Sequence, residues 1–485
     1  MTEIYSEQYR PQFHFSAKKN WINDPNGLVY LDGEYHLFFQ HNPFGTQWGH
    51  MSWGHAVSTD MLHWTELDVA IPEGEDDSIF SGSAVYDAFN TSGLGTTDNP
   101  PLVAIYTSNS SLRKVQSQAI AFSLDKGRTF TKFMNNPVVD LEQEHFRDPK
   151  VFWDDVRGNW VMVVALPHEM KISIYTSSNL INWKHQSDFG PSGGVGGAWE
   201  CPDLIQLPIV NDPTKKAWVM IVSLNPGGLY GGSGTQYFVG EFNGQEFISN
   251  EGSEKINWLD YGQDNYAGVT FNNAPDNRSV LIGWMSSWIY AGSLSNSPWT
   301  GAMTIPRELT LNKLGDSLTL VSQPIKEFDA LQNEELFFSA NLKMKDHGLL
   351  REVTGKELDI TLSFSPGESG KSGINVLVGD RESTQVGYDA DLGEVFLNRG
   401  ASSESSTAEN MLQILKAPVG TLSKLKLRIL VDRSSVEIFV NDGEFVLTGV
   451  VFPHSEQSEG VSIFADNQKA EILEISVSSL KSVWG

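Results

Sequence analysis

Short apolar runs bounded by Gly, Asn, Asp or Pro recur along the whole chain, and long amphipathic helical patterns are scarce. Such runs predict β-strands. Gly27–Tyr30, Tyr35–Phe39, Leu102–Tyr106, Trp160–Ala165 and Trp218–Ser223 are the clearest in the first half. A loose repeat organises them. His55–Leu67 (HAVSTDMLHWTEL), Ile120–Phe133 (IAFSLDKGRTFTKF), Ile172–His185 (ISIYTSSNLINWKH) and Tyr237–Phe247 (YFVGEFNGQEF) each read as a strand, a turn and then an aromatic. The aromatics are Trp64, Phe130, Trp183 and Phe247, spaced by 66, 53 and 64 residues. A strand–turn–strand unit at that period suits the blades of a β-propeller. A blade buries its faces only against neighbouring blades, so such an array must close into a ring. An ordinary β-sandwich with similar hairpins is the alternative.

The pattern changes after residue 300. Thirteen of the 14 Trp residues lie between Trp21 and Trp299, so the two parts have different cores. Gln323–Phe338 (QPIKEFDALQNEELFF) is charged and has helical character, which predicts a linker. From Ala340 the chain alternates cleanly. Leu358–Phe364, Gly373–Val378, Leu425–Val431, Val436–Val440, Glu444–Val451, Gly460–Ala465 and Ile472–Val477 are its best strands. Asn441-Asp442-Gly443 is a strong hairpin signal between two of them. This half predicts a β-sandwich. The expected domains are therefore 1–322, a linker over 323–339, and 340–485.

Charge narrows the partners. Lys+Arg number 34 against 60 Asp+Glu, a net charge of −26. That balance argues against nucleic-acid or anionic-membrane partners. No apolar run approaches a membrane span; Trp160–Leu166 is among the longest. Cys201 is the single cysteine, so neither an intrachain disulfide nor a cysteine-based zinc site is expected. The first residues show no basic and apolar leader, which leaves secretion with a trimmed signal and a cytoplasmic location both open. No phosphate-loop or dinucleotide fingerprint appears, and the His residues form no helical metal-binding pair. His50 and His55, flanking Trp53, read as core residues. Gly227-Gly228 and Gly231–Gly234 read as structural loop glycines.

Three acidic constellations carry candidate chemistry. Trp21–Gly27 (WINDPNG) contains a turn sequence, Asp-Pro-Asn-Gly, but a bare turn needs neither Trp21 nor Asn23. A carboxylate fixed beside an indole and an amide suits a sugar site, with Asp24 placed to attack an anomeric carbon. Phe146–Pro149 (FRDP) reads either as a surface ion pair or as Asp148 gripping vicinal hydroxyls while Arg147 keeps it ionised. Trp199–Asp203 (WECPD) follows a Gly-rich loop, Pro191–Gly197, that lets another body approach the backbone closely. Glu200 is either an exposed loop residue or a buried carboxyl with a raised pKa, suited to act as a general acid. Each acid has a Pro in its motif and an aromatic within three positions, and the spacings of 124 and 52 residues put them on different repeats. A propeller would bring such loops to one face, and paired carboxylates are the equipment of a glycosidase.

At these motifs the sequence resembles glycoside hydrolase family 32, the invertases, exo-inulinases and levanases, over nearly its whole length. WINDPNG (21–27), FSGS (80–83), FRDPK (146–150) and WECPD (199–203) stand in the family's order. NPGG…GGSGTQYFVGEFNG (225–244) and GWMSSW (283–288) look most like the fungal exo-inulinase and invertase branch, and SVEIFVNDG (435–443) like the family's C-terminal module. The resemblance implies an all-β fold, a five-bladed β-propeller followed by a β-sandwich. It implies Asp24 as nucleophile, Glu200 as acid/base and Asp148 as transition-state stabiliser. It also implies a fructose pocket made by Asn23, Gln40, Trp48, Phe80, Ser81, Arg147 and Trp288, with no cofactor and no metal. His41 and His50 depart from the Tyr and Asn usual at these places, which bears on leaving-group preference.

The expected activity is a retaining exo-β-fructofuranosidase acting on terminal fructosyl units of sucrose and of inulin- or levan-type fructans. Fructosyltransfer from sucrose, a non-catalytic fructan-binding role and another five-bladed glycosidase such as an arabinanase are the alternatives. The expected partner is the sugar substrate; a homodimer through the sandwich domain is left open.

Overall fold

A computed structural model describes residues 4–294, 298–315, 317–344, 348–402, 411, 413–466 and 469–484. Among the described residues the first two-thirds form four sheets, the largest of them two antiparallel units joined by one parallel bridge, Ile209 with Leu311, so that five antiparallel units, here blades I–V, follow one another along the chain. Their innermost strands are Asn20–Leu31, Ser78–Tyr86, Arg147–Asp154, Ala198–Ile209 and Tyr266–Thr270. Each inner strand touches the next, and the fifth touches the first, so the ring closes. The seam between blades V and I is made by short parallel pairings, Asn20 with Trp299 and Val29 with Asn272.

The ring explains the apolar runs. Along Trp160–Leu166, residues Trp160, Met162, Val164 and Leu166 pack toward blade II, while Val161, Val163 and Ala165 pack toward blade IV. A middle strand of a blade is thus buried on both faces and reads as continuous apolar sequence. Each buried aliphatic side chain contributes about 1.5–3 kcal/mol, and one apolar cluster fills each of the five inter-blade seams. The sequence repeat is the outer hairpin of blades I–IV. Blade V lacks the aromatic signature, because its outer hairpin, Arg307–Leu314 with Ser317–Pro324, carries no aromatic residue.

The lower channel is plugged. Asp203 accepts hydrogen bonds from the Thr270 backbone and hydroxyl, both at 2.7 Å, and pairs with Lys150 at 3.2 Å. Asn272 donates to the carbonyls of Ala84 and Val151 at 2.8 and 3.0 Å.

The segment expected as a helical linker is partly helical: Lys326–Leu331 forms a 3-10 helix. Gln332–Lys343 is instead the first strand of the sandwich. It is an edge strand with mostly solvated side chains, so its charged sequence concealed it. All seven strands expected in the C-terminal half form, within a residue or a few at their ends. Leu349–Thr354, Ser383–Asp389, Glu394–Ala401 and Leu415–Pro418 are additional; two six-stranded sheets pack face to face. Asn441 and Asp442 take the left-handed conformation (φ 46° and 59°) that their hairpin turn requires. Among the described residues no helix is long and apolar enough to cross a membrane.

The two domains share buried polar contacts. Arg307 of blade V bonds Asp260 at 2.8 Å and Glu437 of the sandwich at 2.9 Å. Glu437 also meets His14 Nε2 at 3.1 Å, and Asp432 meets His14 Nδ1 at 2.7 Å. Burial alone would push the His14 imidazole down; its bonds to Asp432 and Glu437 outweigh that and raise it to about 9. A folded-state pKa above the ordinary 6.5 means the stabilisation is fully present below about pH 6.5 and is lost as pH rises through about 9. We therefore expect the stability difference between wild type and His14→Gln, measured by urea unfolding, to be on the order of 3 kcal/mol at pH 6 and to shrink toward pH 9.5. A difference that does not change with pH would mean the imidazole titrates in the folded protein as it does in the unfolded chain.

Candidate active site

Every inner strand breaks register with its neighbour at the same level of the ring. The breaks fall between Ile22 and Pro25, Ile79 and Gly82, Arg147 and Lys150, Glu200 and Asp203, and Tyr266 and Val269. These are β-bulges, which place an extra residue in one strand and re-aim its side chains. Pro25, Pro149 and Pro202 sit in three of them, where a missing N–H disturbs no ladder bond. Asp148, Cys201 and Ala267 take positive φ (66°, 44° and 54°), a conformation that costs a non-glycine residue about 1–3 kcal/mol.

Above the bulges lies a cavity of about 370 Å³. All ten residues expected at a sugar site line it. Asn23 and Asp24 come from the inner strand of blade I, Gln40 from its second strand and Trp48 from the following loop. Phe80 and Ser81 come from blade II, Arg147 and Asp148 from blade III, Glu200 from blade IV, and Trp288 from the blade V excursion. Gln116, His145 and Asn225 complete the wall. Beyond the carboxyls lies a void of about 10 Å³, among residues that include Pro25, Gly82, Pro149 and Cys201, so the space narrows sharply there.

A chain of donors holds Asp24. The Trp21 indole N–H donates to Asn23 Oδ1 at 2.7 Å, and the Asn23 amide donates to Asp24 Oδ1 at 3.1 Å. The Ser81 hydroxyl donates to Asp24 Oδ2 at 2.6 Å. This is why Asp-Pro-Asn-Gly is more than a turn here. Burial pushes the Asp24 carboxyl up and the Glu200 charge adds to that, while Ser81, Asn23 and Cys201 oppose it.

Asp148 accepts from the Cys201 backbone N–H at 3.0 Å. Burial and the charges of Glu200 and Asp24 also raise it, against the pull of Arg147. The Arg147 charge thus favours ionised Asp148, as the sequence suggests, but its hydrogen bonds go elsewhere. Its Nε and Nη2 donate to Glu200 Oε1 at 3.0 and 2.8 Å, and its Nη1 to Gln116 at 3.2 Å. The Tyr266 hydroxyl donates to the other oxygen, Glu200 Oε2. The Cys201 thiol lies 3.5 Å from both Asp24 and Asp148, and burial beside these acids pushes it well up. Two carboxyls with raised pKa values, a third carboxyl and one guanidinium share this small space, an arrangement that retains protons where isolated carboxylates have lost them.

Sequence reasoning missed Tyr266, Gln116, His145 and Asn225. Tyr266 stands in Tyr-Ala-Gly-Val-Thr, an unmarked strand sequence; only its place on the fifth inner strand reveals it. His55 is buried against His36, as expected of a core residue, but His50 is exposed and pairs with Glu73 at 2.7 Å. His41 lies behind the site, its Nδ1–H donating to the Trp21 carbonyl at 2.8 Å. The body that approaches the Gly-rich loop is the chain itself: a Cβ on Gly197 would stand 1.7 Å from the Pro226 carbonyl oxygen. That contact holds Asn225 on the cavity wall. Among the described residues no three His, Cys, Asp or Glu side chains are arranged to hold a metal ion.

Comparison with known proteins agrees along the whole chain. The profile described as "Glycosyl hydrolases family 32 N-terminal domain" matches residues 14–324, and "Glycosyl hydrolases family 32 C terminal" matches residues 327–479. A levanase of Bacillus subtilis (strain 168) is 44 % identical over 494 residues, spanning 100 % of this chain and 72 % of the relative. An extracellular exo-inulinase of Aspergillus awamori is 42 % identical, with 93 % and 91 % covered. The crystal structure of an exo-inulinase from Aspergillus awamori superposes with a TM-score of 0.94 at 39 % identity, covering 99 % of this chain and 100 % of that one. A β-fructofuranosidase from Schwanniomyces occidentalis complexed with fructosyl-erythritol superposes at 0.90 and 32 %, with 99 % of each chain covered.

The hydrogen bond from Ser81 gives a test that needs no substrate. In a carbon-13 NMR titration of labelled aspartate, Asp24 should titrate above the usual carboxylate range near 3.9, and Ser81→Ala should move it higher still, because a donor to the charged form is lost. An Asp24 titration unmoved by Ser81→Ala would remove that bond from the description.

Proposed function

Because the chain belongs to glycoside hydrolase family 32, we propose that its cavity is the active site of a retaining exo-β-fructofuranosidase that releases terminal fructosyl units from sucrose and fructans. The observation that carries this reading is the convergence of Asp24, Asp148 and Glu200, from three different blades, on one cavity that narrows sharply at its inner end. Such an end accepts a chain terminus and excludes attack within a chain.

The roles follow from the contacts. Asp24, held by donors on both oxygens, attacks C2 of the fructosyl unit. Glu200 gives a proton to the departing glycosidic oxygen, and a covalent fructosyl-enzyme forms as the C2–O bond breaks. Glu200 then takes a proton from water, whose oxygen displaces Asp24. Arg147 and Tyr266, one on each carboxylate oxygen, hold Glu200 in place as it gains and loses its proton. Asp148 accepts the sugar hydroxyls and balances the positive charge that develops at C2. Trp288 and Phe80 offer faces to the sugar C–H surface. Asn23, Gln40 and Ser81 fix its polar edge. Trp48, half exposed at the rim, stands where the leaving group emerges.

We keep 1–322 and the strands from Gln332 onward as the two functional units, with the catalytic residues all on the first. Self-association through the sandwich is a secondary proposal, resting on exposed Phe338 of its edge strand and checked by sedimentation.

Sucrose, inulin and levan assayed in parallel should each yield free fructose. Asp24→Ala should lower kcat by several orders of magnitude while leaving the circular-dichroism spectrum and melting temperature close to wild type. The first fructose released should have the β configuration, since the two carboxyls of a retaining pair stand about 5–5.5 Å apart. Initial release of the α anomer would sink the double-displacement mechanism. Longer fructosides at high sucrose would show that sugar competes with water for the covalent intermediate.

A further inference from the structure

Among the described residues none of the sandwich lines the cavity, yet one sandwich side chain ends within two residues of two groups that serve it. Arg399, on the strand Glu394–Ala401, is completely buried. Its Nη1 donates to Asp264 Oδ2 at 2.7 Å and to the Val450 carbonyl at 2.9 Å, and its Nη2 donates to Gln263 Oε1 at 2.6 Å. Asp264 is also completely buried. Its Oδ2 accepts the Val450 N–H at 2.9 Å, and its Oδ1 accepts the Tyr290 hydroxyl. The guanidinium carbon lies 5.9 Å from the Tyr290 ring centre.

Asp264 enters blade V two residues before Tyr266, the donor to Glu200. Tyr290 stands two residues after Trp288, within a tight turn closed by bonds to the Ser287 carbonyl. The carboxylate therefore ties together the two segments that deliver Tyr266 and Trp288 to the cavity, and Arg399 holds that carboxylate. A buried ion pair is a poor device for stability alone, since apolar groups of similar volume often serve as well. The planar guanidinium fork does something an apolar side chain does not: it fixes the positions of adjacent residues, Gln263 and Asp264, at once.

We infer that Arg399 is a positioning residue for fructosyl transfer, acting through Asp264 and Tyr290 on the placement of Tyr266 and Trp288. This rests on the proposed reading of the cavity. A neighbouring set of buried contacts supplies the contrast. His14, Asp432 and Glu437 tie the same two domains together but meet the Tyr266 strand only at third hand, through Arg307 and then Asp260, which accepts the Asn265 amide at 3.3 Å.

The test compares full-length wild type, Arg399→Met, Arg399→Lys, Tyr290→Phe, Tyr266→Phe and His14→Gln in sucrose hydrolysis across pH, each checked for folding by circular dichroism. Arg399→Met should lower kcat by about 10- to 100-fold, the scale of a small misplacement of reacting groups. It should move the alkaline limb of the pH–rate profile in the same direction as Tyr266→Phe. Arg399→Lys, which keeps the charge without the fork, should fall between. The double variant Arg399→Met/Tyr266→Phe should be less impaired than the product of the two single effects. His14→Gln should melt at lower temperature with kcat and pH profile unchanged. Tyr290→Phe removes one hydroxyl, so it answers the question even if Arg399→Met does not fold. It should shift kcat and the alkaline limb in the same sense. Folded Arg399 and Tyr290 variants with wild-type kcat and pH profile would overturn the positioning role. Turnover surviving in Asp24→Ala would instead overturn the catalytic reading of the cavity, a result that no Arg399 variant mimics.

Discussion

The bulge repeated on all five inner strands is the constraint from which the site follows. In a regular strand neighbouring side chains point to opposite faces. Here Asn23 and Asp24, Phe80 and Ser81, and Arg147 and Asp148 are neighbours in sequence, and both members of each pair line the same cavity. Only an interrupted register allows that. Glu200 and Cys201 repeat the arrangement, with Cys201 turned onto the carboxyls of Asp24 and Asp148. The positive φ values of Asp148, Cys201 and Ala267 are the local expense of the arrangement. The seams on either side, packed with apolar side chains, hold the strands in it.

Around the acids the polar bonds form one connected set. Trp21, Asn23 and Ser81 act on Asp24; Cys201 acts on Asp148; Arg147 and Tyr266 act on Glu200. Crowded carboxyls repel, and burial disfavours their charged forms, so the set is organised by donors rather than by solvent. The plug of Lys150, Asp203, Thr270 and Asn272 beneath it keeps the ring from becoming a water-filled channel.

Much of this was legible in the sequence, for physical reasons that differ from place to place. The outer hairpins repeat because each needs the same turn and the same aromatic cap, so blades I–IV declare themselves at Trp64, Phe130, Trp183 and Phe247. The acids declare themselves through the Pro that follows each bulge. Blade V declares neither, since its outer hairpin carries no aromatic and its inner-strand bulge, Tyr266–Val269, carries no Pro. Tyr266, a strand tyrosine among small residues, has no local mark; its role exists only once the ring closes. The edge strand Gln332–Lys343 was concealed for the opposite reason, because solvated side chains on an edge imitate a charged linker. The Arg147 side chain shows a further limit. Adjacent residues suggest an Arg147–Asp148 pair, but the guanidinium bonds a carboxylate 53 positions away, across a blade boundary that spacing alone does not locate.

The buried contacts between propeller and sandwich have an evolutionary consequence. Asp260 and Asp264 are sealed in the interface and draw their bonds from Arg307, Arg399, Thr448 and Val450. A gene fusion or chimera that replaced the sandwich with an unrelated module would take Arg399 from Asp264 and Glu437 from Arg307, breaking two buried charged pairs, a change that costs about 3–5 kcal/mol for each broken pair. Recombination between relatives is thus free to exchange the rim loops one at a time, whereas the two halves must be inherited together or altered in concert. The linker, though it is the thinnest part of the chain, is not where this protein comes apart.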